Sequence, residues 1–221
     1  MIYLDNAATT RPSEGALARA EHYLTQCFYN PSALYHGGIE AHRVITDARR
    51  VLLSCIADSS SYDLIFTSCG TEADNQAIFG AGRRGNVVTT AGEHAAVYES
   101  CKELKNRGVE PRFAPLRADG SVDVVALLSL VDDKTSLVSV IHVSNETGAV
   151  NDIAAIAKLV KQKNPRTVFH SDGVQAFGKI PVRLTKEIDL YTVSAHKIGA
   201  LKGTGALFRR KTCGTLPPYL Y

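Results

Sequence analysis

Short β-branched runs alternate with stretches whose apolar residues recur every three to four positions, from about residue 64 to residue 208. That alternation predicts an α/β fold, in which helices cover a sheet. Strands are expected at 64–67, 87–90, 112–115, 136–143, 167–170, 190–194 and 205–208. Helices are expected from Thr71, over 96–106 with Gly108 closing it, over 122–131, and over 152–163 ahead of Asn164-Pro165. The runs LVSVIHV and TVFH are apolar on both faces, as in a sheet buried on both sides. Two amphipathic helices precede this series. Ser13 is placed to cap the first, along which Ala16, Leu17, Ala20, Tyr23, Leu24 and Cys27 share a face. The second runs from about 38 to 57, with Ala41, Ile45, Ala48, Leu52, Cys55 and Ile56 aligned. The segment 30–38 reads as a loop, because Pro31 and the Gly37-Gly38 pair break both periods.

Composition narrows the picture only a little. With 221 residues, 45% apolar and 21% charged, the chain is long enough for one sizeable core and is not a disordered segment. A net charge of +3 is too small to suggest a nucleic-acid partner, and the scattered pairs Arg49-Arg50, Arg83-Arg84 and Arg209-Arg210 read as solvated surface. Five cysteines without CxxC or metal-ligand spacing point to a reduced, cytoplasmic compartment and to no metal site. Cys27, Cys55 and Cys101 fall on helices and read as core or near-core, Cys69 as a small apolar filler, and Cys213 lies in a tail and takes no role. No basic-then-apolar leader and no membrane-length apolar run occurs, so no membrane partner is expected.

The chemistry collects at strand ends, where open α/β sheets bind their ligands. Gly70-Thr71, Glu93-His94, Ser144-Asn145, Asp172 with Gln175, and Ser194-Ala195-His196-Lys197 each follow a strand. Several of them are spaced by about 25 residues, one βα unit, so these groups should converge on one sheet edge. Gly70-Thr71 opens a helix, whose free amides favour an anion, and Ser194 and His196 add donors. Lys197 is an amine that desolvation would make nucleophilic. Asp172 can keep a ring nitrogen protonated, and the His94 imidazole can stack on that ring. A phosphate cradle, an imine-forming lysine and an acid facing a pyridine together describe a site for pyridoxal 5′-phosphate.

At these residues the sequence resembles the NifS/IscS-like cysteine desulfurases, of the class V aminotransferase group within fold-type I pyridoxal phosphate enzymes. The resemblance rests on YLDNAATT (3–10), NPSALYHGGIEAHRVITDAR (30–49), FTSCGTEADNQAI (66–78), EHAAV (93–97), HVSNETG (142–148), HSDGVQAFGK (170–179) and SAHK with KGTGAL (194–207). It implies a three-layer α/β/α sandwich with a mainly parallel sheet. Residues 1–14 would be an N-terminal segment that packs with a small C-terminal domain. Residues 15–221 would be the pyridoxal-phosphate-binding large domain, incomplete at its C-terminal end. The resemblance also assigns roles. Lys197 would bond the cofactor, and His94 would stack on it and shuttle protons. Asp172 would bind the pyridine nitrogen and Gln175 the ring hydroxyl. Gly70, Thr71, Ser194 and His196 would hold the phosphate, and Asn145 would reach the ring hydroxyl and the substrate carboxylate.

The implied reaction takes L-cysteine to L-alanine, with the sulfur passing to an acceptor or scaffold protein of iron–sulfur cluster assembly, in a homodimer. Three departures stand out. Ile198-Gly199-Ala200-Leu201-Lys202-Gly203 replaces the family's Gly-Pro after the lysine, and Ser144 replaces an asparagine. After Pro217-Pro218-Tyr219-Leu220-Tyr221 the family continues into a domain that carries the persulfide-forming cysteine, so this chain is expected to be inactive alone. Bare apolar surface on its flank is expected to promote association. Two other readings share these residues: another class V enzyme, such as a selenocysteine lyase or a small-amino-acid lyase or aminotransferase, and a non-catalytic chain of a split enzyme.

Overall fold

A computed structural model describes residues 2–214, 216 and 217; of the closing stretch 217–221 only Pro217 falls among them. The series begins with α1 (Glu14–Thr25) and α2 (His36–Ile56). Then come β1 (Tyr62–Thr67), α3 (Gly70–Ala81), β2 (Asn86–Thr90), α4 (Ala95–Leu104), β3 (Glu110–Ala114), α5 (Val124–Leu130) and β4 (Thr135–Ser139). It closes with α6 (Ile153–Lys163), β5 (Val168–Asp172), β6 (Leu190–Ser194) and β7 (Gly205–Arg210). The seven strands form one sheet in the order β1-β7-β6-β5-β4-β2-β3. Strand β7 is antiparallel to both neighbours, and every other pair is parallel.

Successive residues along each strand serve opposite faces. Val88, Val138, Phe169, Tyr191 and Phe208 pack with Leu53 and Ile56 of α2, Leu127 of α5, and Ile156 and Val160 of α6. Their neighbours Val87 and Leu137 meet Ile78 of α3 and Val97, Cys101 and Leu104 of α4, while Leu190 and Leu207 meet Ala73 and Ala77 of α3. The result is the expected three-layer sandwich. Helix α3 crosses behind the centre of the sheet and brings its N-terminus to the start of β7, where a Cβ on Gly205 would lie 2.5 Å from the Cys69 backbone.

Several local expectations are revised. Helix α2 starts at His36, so Gly37 and Gly38 are helical and not breakers. They are glycines because of close approach: a Cβ at Gly37 would sit 2.5 Å from the Tyr29 ring, and one at Gly38 would sit 2.3 Å from the Ala33 carbonyl oxygen. Strand β4 ends at Ser139, because the Ile141 backbone is taken by side chains. Its N–H donates to Glu93 Oε1 (2.9 Å), and its carbonyl accepts from Asn151 Nδ2 (2.8 Å).

Cys55 is exposed, since it falls on the outer face of α2, whereas Cys101 is buried. Cys69 is no filler: it caps α3, its Sγ accepting from Glu72 N. Cys213 packs against the buried cluster of Ala73, Ala77, Leu190, Leu207 and Leu216 instead of in a tail. Arg209 and Arg210 are not merely solvated, for they pair with Asp63 and Asp189. Helix α1 begins as expected, with Ser13 Oγ accepting from Ala16 N, yet among the described residues none of α1 is buried. A groove of about 790 Å³ between α1 and α2 is lined by Tyr23, Ile39, Val44, Val51 and Leu52. Among the described residues no helix is long and apolar enough to cross a membrane.

Candidate functional site

The carboxyl ends of β1, β5 and β6 open onto a cavity of about 290 Å³, near the lower end of small-ligand sites at about 300–1,000 Å³. All nine residues given cofactor roles above line it, eight of them on or next to those ends and on α4's start: Gly70, Thr71, His94, Asp172, Gln175, Ser194, His196 and Lys197. Asn145 lines it too, from the exposed turn after β4 that Ser144 Oγ closes by accepting from Glu146 N and Thr147 N. Ile141 and Val174 supply apolar wall.

One part of the cavity is built for an anion. Gly70 and Thr71 begin α3, whose first amides point outward with the positive end of the helix dipole. A Cβ on Gly70 would lie 3.0 Å from Val174 Cγ2 and 3.3 Å from Ser194 Cβ, so glycine keeps this cradle open. Ser194 Oγ is buried and, among the described residues, has no hydrogen-bond partner. His196 is held by its Nδ1 contact to Thr9 Oγ1 (3.0 Å); partial burial, then Lys197, Lys202 and Lys179, lower its pKa.

The other part is acidic. Asp172 ends β5 and is 4% exposed; its Oδ1 accepts from Val174 N (2.9 Å), a turn contact and not a helix cap. Gly173 follows because a Cβ there would meet Tyr191 Cζ at 1.9 Å. Burial raises the Asp172 carboxyl, against the lowering by the Val174 amide, His94 and Lys197. Asp74, one turn into α3, is 1% exposed, and one oxygen of each carboxylate and a ring nitrogen of His94 all lie within 4.8 Å of one another. Asp74 escapes sequence reasoning because an acid in an amphipathic helix reads as solvated. The available signal is its place on the face of Gly70, Ala73, Ala77 and Ile78, all buried.

Lys197 sits in a 3-10 turn directly after β6, and burial lowers its amine below the ordinary lysine range. Its Nζ donates to the carbonyls of Ala7 (2.5 Å) and Ala8 (2.9 Å). Gln175 Nε2 also donates to Ala7 O (2.8 Å), and its Oε1 accepts from Lys179 Nζ. Residues 7–13 thus form a strap across the site, with Thr10 N donating to His196 O and Ser13 N to Gly199 O, both at 2.8 Å. Sequence reasoning missed this strap, since backbone carbonyls leave no trace in side-chain pattern.

His94 caps α4: Nδ1 accepts from Ala96 N (3.1 Å), which leaves the proton of the neutral ring on Nε2. Preceding it, the Glu93 carboxyl accepts from the Thr90 hydroxyl (2.7 Å) and Ile141 N, and burial pushes it up to about 8. Glu93 thereby fixes the loop that presents His94.

The matched family signature is that of the aminotransferases of class V, and it spans residues 2–221. The chain belongs to the class V aminotransferase family. A cysteine desulfurase of Nostoc sp. is 38% identical over 216 residues, which cover 96% of this chain and 53% of that protein. The solved structure of a NifS-like protein superposes on all of this chain and 61% of its own, with a TM-score of 0.94 and 33% identity. A structure of SspA in complex with cysteine does so over 100% and 65%, with a TM-score of 0.91 and 28% identity. The fold is that of the large domain of such class V members, and the chain spans about half the length of the curated relatives it matches.

Proposed function

We propose that this chain is the cofactor-binding portion of a pyridoxal-phosphate-dependent cysteine desulfurase. That enzyme takes L-cysteine to L-alanine and passes the sulfur to an acceptor thiol as a persulfide. One observation carries the reading: the cavity has two opposite poles. Free amides, an unpaired hydroxyl and lysines form one; two buried carboxylates form the other. A primary amine lies within electrostatic reach of both. The residues therefore fit a compact ligand with a phosphate at one end and a cationic ring nitrogen at the other.

When bound, pyridoxal phosphate supplies an electron sink for the bonds at the substrate α-carbon. The chain does the rest. Gly70, Thr71, Ser194 and His196 bind the phosphate, and Asp172 holds the proton on the ring nitrogen. Lys197 secures the cofactor through an amine whose lowered pKa favours its neutral, nucleophilic form. Its bonds to Ala7 and Ala8, and that of Gln175 to Ala7, are the ones that would have to give way for Lys197 to hold the cofactor and Gln175 its ring hydroxyl. His94 stacks on the ring and exchanges a proton at Nε2, while Asn145 meets the ring hydroxyl and the substrate carboxylate.

On the same reading residues 1–14 pack against a further small domain and 15–221 form the large one. The assembly is a cytoplasmic homodimer that hands sulfur to an iron–sulfur scaffold. Exposed Ile2, Leu4, Leu24, Leu34 and Ile39 in and after that segment are consistent with such a neighbour.

The test begins with pyridoxal phosphate added to the purified chain. A saturable visible band is expected, and borohydride reduction should fix one adduct on Lys197, located by peptide mass spectrometry. Label spread over surface lysines would overturn the reading. Alanine released from cysteine, once the C-terminal half of a relative is supplied, separates desulfurase from other class V activities.

A further inference from the structure

Two carboxylates that are 1% and 4% exposed, with atoms within 4.8 Å of one another, cannot both stay ionised cheaply. Nor does the imidazole behind them neutralise either. His170 Nε2 lies 3.6 Å from Asp74 Oδ1, but complete burial keeps that ring neutral, with its pKa near 3. Its two nitrogens are engaged by Ser139 Oγ (2.8 Å) and Thr192 Oγ1 (3.1 Å).

The surroundings of the two acids are unequal. Asp172 receives a backbone amide from Val174 and faces His94 and Lys197, all of which favour its charged form. Asp74 is the more deeply buried of the two and faces Asp172 on β5; burial first, then the Asp172 charge, oppose its ionisation. Only the Thr192 hydroxyl of β6 works the other way, and Asp74 Oδ1 has no hydrogen-bond partner among the described residues.

We propose that Asp74 is a positioning residue: it carries the one proton that the Asp74–Asp172 pair holds, so that the pair's single negative charge rests on Asp172 and faces the cavity. The role deepens the reading above, because a lone charge on Asp172 is what a protonated ring nitrogen would meet. A second anion at Asp74 would pull a cationic ligand off Asp172, whereas a neutral acid leaves one partner and one geometry.

The proton can be located without any cofactor, on chelator-treated full-length chain near neutral pH. Infrared difference spectra are recorded for the parent against D74N and against D172N. The acid carbonyl band should vanish in D74N and persist in D172N; the band of protonated Glu93 cancels in both differences. Loss of the band in D172N with its retention in D74N would put the proton on Asp172 and overturn the proposal. So would its absence from the parent-minus-D74N difference, which means two carboxylates.

Should D74N fail to fold, carbon NMR of D172N labelled at the aspartate carboxyl gives the same answer: one resonance at the protonated position is expected, and none overturns it. Pyridoxal phosphate affinity is the separate readout. D74N should stay within about threefold of the parent, because a neutral amide replaces a neutral acid. D172N should lose about 10–100-fold. Failure of both forms to bind the cofactor, with the acid band on Asp74 intact, would count against the functional reading and leave the proton assignment standing.

Discussion

The two edges of the sheet treat buried carboxylates in opposite ways. At the amino-terminal edge, Asp189 precedes β6 and is 1% exposed, yet it is saturated. Lys161 and Arg210 pair with it, and Phe169 N donates to it at 2.8 Å. Nearby, Asp132 accepts from Asn86, Lys134 N and Arg112, tying the starts of β2, β3 and β4. At the carboxyl edge, Asp74 and Asp172 face each other with one amide between them, and Ser194 Oγ faces the cavity unpaired. One edge spends its polar groups on the fold, while the other leaves them for a ligand. Burial alone therefore does not distinguish structural acids from functional ones; the count of satisfied partners does.

The largest test of this contrast is a pair of removals. Asp189→Ala strands two partly buried cations and should cost about 3–5 kcal/mol in urea unfolding. Asp172→Asn replaces the one charged acid of the pair, which no cation saturates, by a neutral amide and should change stability by less than about 1 kcal/mol, its loss appearing in cofactor affinity. Equal destabilisation by both would erase the distinction.

A second test is the pH dependence of unfolding. Glu93 titrates near 8 in the fold against an ordinary 4.5, so the folded state holds the proton longer. Stability should therefore fall as pH rises between those values, and E93Q should flatten that slope. Asp132 is held low by Asn86 and Arg112, so its contribution is present above 3.8 and lost on acidification. D132N should flatten the acid limb only. Thermal melts across pH that showed the slopes exchanged would contradict both assignments. The smallest effect is Ser194→Ala. Removing a hydroxyl with no partner should leave stability unchanged or raise it by about 0.5–1 kcal/mol, while weakening pyridoxal phosphate binding.

How much of this was legible in the residues depended on the kind of interaction. Strand β6 matches its sequence bounds because a β-branched run ends abruptly in polar residues. The nine cavity residues were found because each follows a strand in a regular βα series. Gly37 and Gly38 were misjudged because a sequence does not show the Tyr29 ring or the Ala33 carbonyl that exclude a Cβ. The overrun of β4 has the same origin: apolar periodicity continues to Val143, but Glu93 and Asn151 take the backbone of Ile141. Asp74 was hidden by its type, since nothing local marks one acid of a helix as facing another across a cavity.

The strap of residues 7–13 also sets the order in which the molecule is made. Its bonds to Lys197 and His196 span 190 and 187 positions. Closing so long a loop costs only about 0.6 kcal/mol for each doubling of length, so the strap is thermodynamically inexpensive. In time it is late, because non-local contacts form after local ones. During synthesis the first dozen residues must wait, unengaged, until β6 has emerged behind them, and the cradle at α3 exists before the lysine that would use it. The cavity can close only once β7, which follows Lys197 in the chain, has joined β6 to β1.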